Sequence, residues 1–342
     1  MKRCLSLLVL LSMLAGCGSQ SVDAQKIEKT VYAMDTVMTM TAYPAEGQTE
    51  DDVSAALNAA QGEIQRLDAL LSVSNEQGEI GGLNSGERTR LSDETGRLLQ
   101  RALTIAADTG GAFDPTLYPL AVLWGFSTGA YHVPTEQELD SVLGSVGYLQ
   151  TSLTQRDESW RVVLPEGGGI DLGGIAKGYT AHEVLEVLER QGISSAILSL
   201  GGNVAALGRK PDGSLWTVAV ENPDQSQGYL ASIQLDGGYF AITSGAYQRY
   251  FEEDGKRYHH ILNAETGCPA ETGLQSVTVV SKDGTLADAL STALFVMGTQ
   301  EAQRYWREHS ASFDMILYDG EKLYVTPGIT VQTDQTIVEV QP

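Results

Sequence analysis

A chain of 342 residues with 42% hydrophobic side chains has enough apolar material to bury a core, so disorder of the whole is excluded and one large domain or two is expected. Its 44 acidic and 22 basic residues give a formal charge of −22, a surface that repels nucleic acid and anionic lipid. Nucleic-acid binding is therefore not expected, and with no Cys and His cluster of the kind zinc needs, any metal should be a hard ion held by oxygen.

The chain starts with Lys2 and Arg3, an apolar run from Leu5 to Leu14, and then Leu14-Ala15-Gly16-Cys17. The run is short for a bilayer span and reads as a secretory signal. Its end resembles the lipobox of bacterial lipoproteins. That predicts a signal peptide at 1–16, Cys17 as the lipidated first residue of an extracytoplasmic protein, and membrane attachment through the lipid anchor. An ordinary cleaved signal with an incidental cysteine is the alternative. Loss of Lys2 and Arg3 takes the formal charge from −22 to −24. Cys4 leaves with the signal, so Cys268 is left as the one free thiol and no internal disulfide is expected. Polar residues without periodicity make 17–30 a tether, and the folded domain spans 31–342.

Val31 to Tyr43 reads as a strand carrying Met34-Asp35-Thr36. From Glu50 to Leu71, apolar residues at 53, 56, 57, 60, 64, 67 and 71 keep a helical period. Ser72 to Arg90 holds four glycines and reads as an irregular loop, after which Ser92 or Asp93 caps a helix running to about Asp108. Residues 109–126 read as a buried loop, and Thr135-Glu-Gln-Glu138 as a capping box opening a short helix. A hairpin at 148–164 leads to a helix over Ala176–Gln191 that Gly192 ends. Strands follow at 194–200, 215–221, 229–235, 239–243 and 274–281, then helices at 285–297 and 300–309, and a strand at 313–318. At most one of His259 and His260 can face a given site, because neighbouring side chains of a strand point to opposite faces. With no repeat, these elements predict a single mixed α and β unit of the α+β class, with two lobes as a variant.

Two stretches carry chemistry. In Asp171-Leu-Gly-Gly-Ile-Ala-Lys-Gly178 a carboxylate, a glycine pair and a lysine crowd the turn that opens a helix, where free N–H groups and the dipole favour an anion such as phosphate. The plain alternative is a tight turn in which Asp171 caps and Lys177 sits in solvent. Neither the P-loop spacing nor Gly-x-Gly-x-x-Gly is present. In Ala287-Asp-Ala-Leu-Ser-Thr292, Asp288 and Thr292 lie four apart on one helix face and can share a small cation such as Mg²⁺. Thr285-Leu-Ala-Asp288 fits a capping box equally well.

Met34-Asp-Thr36, Gly111-Ala-Phe-Asp114 with Trp124-Gly-Phe126, the 171–178 turn, Gly201-Gly-Asn203, Thr243-Ser-Gly-Ala-Tyr247, His260-Ile261 before Thr266-Gly267, and the 287–292 stretch together resemble, in this order, the ApbE family. Its members are FAD:protein FMN transferases, often lipoproteins. The resemblance covers about residues 31–330 and implies a T-fold-like unit with the flavin site between two lobes. It implies Mg²⁺, with Mn²⁺ as a substitute, held by Asp288, Thr292 and the carbonyl of Gly174 with Ser291 beside them. It further implies FAD as substrate, contacted by Met34, Ala112, Phe113, Asp114, Asp171, Lys177 and Ile261. FMN would pass through its phosphate to a threonine of a partner flavoprotein, with AMP leaving and His260 as general base. A structural histidine bonded to backbone is the alternative for His260.

Two positions depart from the family pattern. Ser72-Val-Ser74-Asn75 lacks the aromatic many relatives carry after the first long helix, and Asn263-Ala264 stands where Asp-Pro is usual. The first bears on function, because some members hydrolyse FAD to FMN and AMP without transfer. Three readings follow: an FMN transferase, an FAD pyrophosphatase, and a non-catalytic flavin-binding lipoprotein.

Overall fold

A computed structural model describes residues 26–224 and 228–342; Cys17 and the expected signal segment lie outside the described residues. Strands β1 (Ile27–Ala33) and β2 (Thr36–Ala42) form a hairpin where one strand was expected. Met34 and Asp35 make its two-residue turn with φ of 49° and 58°, the mirror-image turn whose twist suits a hairpin. Pairing runs back to Ile27↔Ala42, so residues 27–30, expected in the tether, belong to the sheet.

Helix α1 (Glu50–Leu71) is opened by a Thr49/Asp52 capping box and buries all seven of its periodic apolar residues. Within the expected irregular loop, α2 (Glu79–Asn84) forms, followed by β3 (Arg90–Ser92) and the Ser92-capped α3 (Asp93–Asp108). Its glycines serve close packing: a Cβ on Gly81 would lie 2.2 Å from the carbonyl oxygen of Asn75. The short α4 (Tyr118–Leu123) lies in the buried 109–126 segment, and α5 (Glu136–Leu143) has the expected Thr135 box. Then come β4 (Ser152–Arg156), β5 (Ser159–Val163) and α6 (Gly173–Arg190), which stops before Gly192 at φ 80°.

The remaining elements are β6 (Ala196–Leu200), β7 (Asn203–Leu207), β8 (Trp216–Glu221), β9 (Tyr229–Leu235), β10 (Phe240–Gly245), β11 (Tyr250–Glu253), β12 (Lys256–His259), β13 (Ser276–Ser281), α7 (Gly284–His309), β14 (Asp314–Tyr318), β15 (Lys322–Val325), β16 (Val331–Gln332) and β17 (Thr336–Glu339). Gly298, at φ 75° and ψ 173°, breaks α7 where two helices were expected.

A nine-stranded sheet of order β1-β2-β6-β7-β10-β13-β14-β15-β17 is the centre, antiparallel except for β15 with β17. One face carries α1, α6 and α7, with Met38, Met40, Leu198 and Val279 packed on Leu57, Leu188 and Leu294. Each such aliphatic contributes about 1.5–3 kcal/mol by burial. The other face is covered by the sheet β16-β9-β8 through Trp216, Val218 and Ile233. A further cluster joins α2, α3 and the sheet β3-β5-β4 to the start of α6, so the unit is mixed α and β, as expected.

Helices α6 and α7 touch at glycines. A Cβ on Gly178 would lie 2.1 Å from the Gly284 carbonyl oxygen and 2.6 Å from Asp288 Cβ. Gly178→Ala is expected to destabilise the fold by about 2 kcal/mol or more through overpacking. Gly62→Ala, in α1 with nothing within 4 Å of the added methyl, should gain up to about 1 kcal/mol. Urea denaturation of both variants checks the contrast, and equal effects would contradict the close crossing.

Candidate active site

The crossing of α6 and α7 decides what Asp288 does. Asp283 caps α7 by accepting from the Leu286 N–H at 3.0 Å, so the Thr285 capping box does not form. Asp288 sits one turn further in, buried, and its Oδ2 accepts from the Gly178 N–H at 2.7 Å. In a regular helix that amide would bond the carbonyl of Gly174. The carboxylate competes with the Gly174 oxygen for that amide.

One turn along, Thr292 faces Gly174: a Cβ built there would lie 3.6 Å from Thr292 Oγ1 and 3.2 Å from the Phe113 ring. Ser291 Oγ donates to the Asp288 carbonyl at 2.8 Å and takes a hydrogen bond from Ser244 Oγ at 2.7 Å; Ser244 is also 3.4 Å from Thr292 Oγ1. Ser244 is next to last in β10, and in the sequence it stands out only as part of Thr243-Ser-Gly-Ala-Tyr247. The result is a carboxylate, hydroxyls and a main-chain carbonyl on two adjoining helices. Such hard oxygens suit Mg²⁺. Among the described residues no group of three or more His, Cys, Asp or Glu forms a metal cage. A Mg²⁺ here would keep ligand positions for water and phosphate.

Asp171 stands just before α6. Its Oδ1 accepts from the Gly173 N–H at 2.7 Å, closing the turn one residue ahead of Leu172, the cap position, which makes no side-chain cap bond, and its own N–H donates to the Pro115 carbonyl at 2.8 Å. Burial raises its carboxyl above the ordinary range. The Gly173 N–H and the charges of Arg249 and Lys177 act against that, and Asp35 adds to it. Lys177 folds back so that Nζ donates to the Gly173 carbonyl at 3.2 Å. Arg249 was not foreseen. Its guanidinium donates to the Phe126 carbonyl, and its carbonyl accepts from the His260 backbone N–H at 3.1 Å.

His260 Nδ1 lies 3.1 Å from the same Arg249 carbonyl. A carbonyl only accepts, so Nδ1 carries the proton and Nε2 keeps its lone pair. Burial pushes the imidazole down to about 3; the Arg249 carbonyl resists, while the charges of Arg249 and Lys177 push the same way as burial. His259 turns into the core against Phe295, 5.5 Å between ring centres. The pair therefore divides between two faces as expected.

The other expected contact residues lie in the loops and core around this turn. Asp114 is buried and accepts from the Thr116 N–H (2.8 Å), the Thr116 hydroxyl (2.6 Å) and the Tyr148 N–H (2.9 Å), so it latches its own loop. Ile261 lies in the main core. Met34 packs at the junction of two core clusters, with Thr180 Oγ1 3.7 Å from its sulfur. Phe113 is buried and Ala112 half-buried beside Gly174 and α3. An open cleft of about 570 Å³ lined by Asn84, Arg88, Tyr118 and Gly168 borders the Asp171 turn from the other side. Asn84 fixes that turn by bonding both the N–H and the carbonyl of Ile170 at 2.8 Å.

A sequence profile of the ApbE family matches residues 34–317. The chain is 31% identical over 338 residues to an FAD:protein FMN transferase of Treponema pallidum, covering 94% of this chain and 93% of that one. It is 33% identical over 243 residues to the FAD:protein FMN transferase of Salmonella typhimurium, covering 69% of each. Among solved structures it is similar to an ApbE protein of Thermotoga maritima, with TM-score 0.77, 30% identity and 91% and 97% of the two chains covered. The flavin transferase ApbE of Vibrio cholerae gives TM-score 0.75 and 28% identity over 86% and 93%.

Proposed function

The chain belongs to the ApbE family, and on that premise we propose that it cleaves FAD with the help of Mg²⁺, joins FMN through its phosphate to a threonine of a partner flavoprotein, and releases AMP. Its relatives are transferases by name, and the overall reaction of an FAD:protein FMN transferase follows from them. The observation that carries the finer reading is the meeting of Asp288, Thr292 and Gly174 where α6 starts.

A pyrophosphate needs its charge neutralised more than it needs covalent catalysis. Asp288, Thr292 and the Gly174 carbonyl would hold Mg²⁺, with Mn²⁺ acceptable to the same oxygens and Ser291 fixing the helix turn between the two side chains. When bound, the ion offsets charge on the phosphate oxygens. Lys177 and the first N–H groups of α6 add positive potential there. His260 accepts the acceptor hydroxyl proton on Nε2 as the threonine oxygen bonds phosphorus and the bond from that phosphorus to the AMP oxygen breaks. Asp171, beside Lys177, orients the polar groups of the nucleotide. The Ser72–Asn75 loop, held by a Ser72–Ser74 contact of 2.9 Å and an Asn75 bond to the Ala69 carbonyl, offers no ring for flavin stacking. FAD hydrolysis is therefore the reading to set against transfer.

The apolar run 5–14 and Leu14-Ala-Gly-Cys17 support an extracytoplasmic chain anchored by lipid at Cys17, acting on membrane-associated or secreted acceptors. Native chain should enter the detergent phase on partitioning and Cys17→Ala the aqueous phase; identical partitioning would remove the anchor.

With FAD, Mg²⁺ and an acceptor bearing a flavinylation threonine, FMN should become bound to the acceptor with one AMP released per FMN. Asp288→Ala should lower that rate about 100-fold or more. Free FMN with none on the acceptor would leave a pyrophosphatase, and no AMP at all a flavin binder.

Because His260 is less basic folded than its ordinary value of 6.5, the unfolded chain binds the extra proton between about pH 6.5 and 3. Its share of stability is complete above pH 6.5 and is lost as pH falls towards 3. The transfer rate should therefore show no His260 inflection at 6.5. His260→Gln should cost about 10²- to 10⁴-fold. A limb near pH 6.5 that disappears in His260→Gln would overturn the depressed imidazole.

A further inference from the structure

Arg249 follows β10 by four residues and is fixed at both ends. Its carbonyl receives the backbone N–H and Nδ1 of His260, each at 3.1 Å. Its guanidinium donates through Nη2 to the carbonyl of Phe126, whose ring meets His260 edge-on with centroids 6.4 Å apart. The side chain thus stands against the wall that carries the general base, on the side where the charges of Arg249 and Lys177 both reach Asp171 and His260.

Its charge is unspent. Among the described residues neither Arg249 nor Lys177 comes within 4 Å of a carboxylate, and Asp171 has no cation that near. In a chain with twice as many acids as bases, pairing is the easy outcome, as Arg66, Arg209 and Arg257 show with Glu63, Asp236 and Glu252. A guanidinium has five N–H donors in a planar fork that matches phosphate, and the Phe126 carbonyl engages only one nitrogen of Arg249. Two unpaired cations around one turn of backbone N–H groups make a site for a group with more than one negative charge.

We propose that Arg249 is a further substrate-binding residue, whose guanidinium grips the pyrophosphate of FAD together with Lys177 and sets it beside His260. This rests on the FAD reading of the site. It differs from a role in packing, because the loss on removing the charge must follow the ligand's phosphates and not its rings. It differs also from recognition of an acidic acceptor segment, because it acts before any acceptor is present.

The test uses the full chain, wild type and the variants Arg249→Met and Arg249→Lys, titrated calorimetrically with FAD, ADP and riboflavin in EDTA, with melting temperatures as the check on folding. For Arg249→Met, FAD and ADP affinity should fall about 10- to 100-fold, the range for losing a charge-assisted contact, while riboflavin affinity changes less than about 2-fold. Arg249→Lys, which keeps the charge and loses the fork, should fall between. Wild-type ADP affinity should weaken with salt more steeply than that of Arg249→Met. Equal losses for all three ligands would reassign Arg249 to holding Phe126. Unchanged FAD and ADP affinity with a raised KM for acceptor alone would reassign it to the acceptor. Either result overturns the proposal and leaves the transferase reading intact, whereas a wild-type chain that binds neither FAD nor ADP removes both. If Arg249→Met fails to fold, Arg249→Lys with wild-type ADP affinity is sufficient to overturn it.

Discussion

The hydrogen bond from the Gly178 N–H to Asp288 Oδ2 is the constraint on which the site depends. A bond from a neutral amide to a buried carboxylate contributes about 1.5–3 kcal/mol, and it forms only because neither Gly178 nor Gly284 has a Cβ to hold the helices apart. Three results follow from that one approach. Asp288 is turned from its own helix terminus to α6, its carboxylate competes with the Gly174 carbonyl for the Gly178 N–H, and Thr292 is set over the first turn of α6. The hydroxyl chain from Ser244 through Ser291 to the Asp288 carbonyl then ties the end of β10 to the same place. A sheet strand and two helices thus meet around a handful of oxygens.

Much of this was legible in the sequence, where local signals are strong. The period of α1, the Thr135 box and the Gly192 stop are all set by neighbours within a few residues, and the structure keeps each. The Met34-Asp35 turn was not legible, because a two-residue hairpin turn normally advertises itself with Gly or Asn, and neither is present. Thr285 to Asp288 fits a capping box, yet Asp283 starts the helix two residues earlier and frees Asp288; adjacent candidates for a cap look alike until the partner helix is known. Strand order was illegible too, since alternation identifies a strand but not its neighbour. Ser244 and Arg249 were hidden for the same reason, as each matters through residues about fifty to a hundred positions or more away.

Residues that a family pattern groups together divide here by physical duty. Asp114 has its carboxylate filled by Thr116 and Tyr148, and Ile261 is packed under the sheet. They hold the loops and core beside the site. Asp171, Lys177, His260 and Arg249 instead keep unfilled hydrogen-bonding capacity. His260 shows how one backbone oxygen sets chemistry: by accepting from Nδ1, the Arg249 carbonyl fixes which nitrogen can act.

The break in α7 has a mechanical effect on all of this. Gly298 turns the chain so that the second half of α7 brings Trp306 down onto the sheet, where its indole N–H donates to the Phe313 carbonyl at 3.0 Å. A straight helix would carry residue 306 about 12 Å further along the axis of the first half. Thr272, bonded to the Phe295 carbonyl just before the break and packed against Gly298, holds the corner. The bend gives the molecule two separately anchored rods in place of one. The rod bearing Asp288 and Thr292 is aligned by α6, β10 and β13, whereas the second rod takes its own bearing from Trp306 on Phe313, so the two halves of one helix are held by different neighbours.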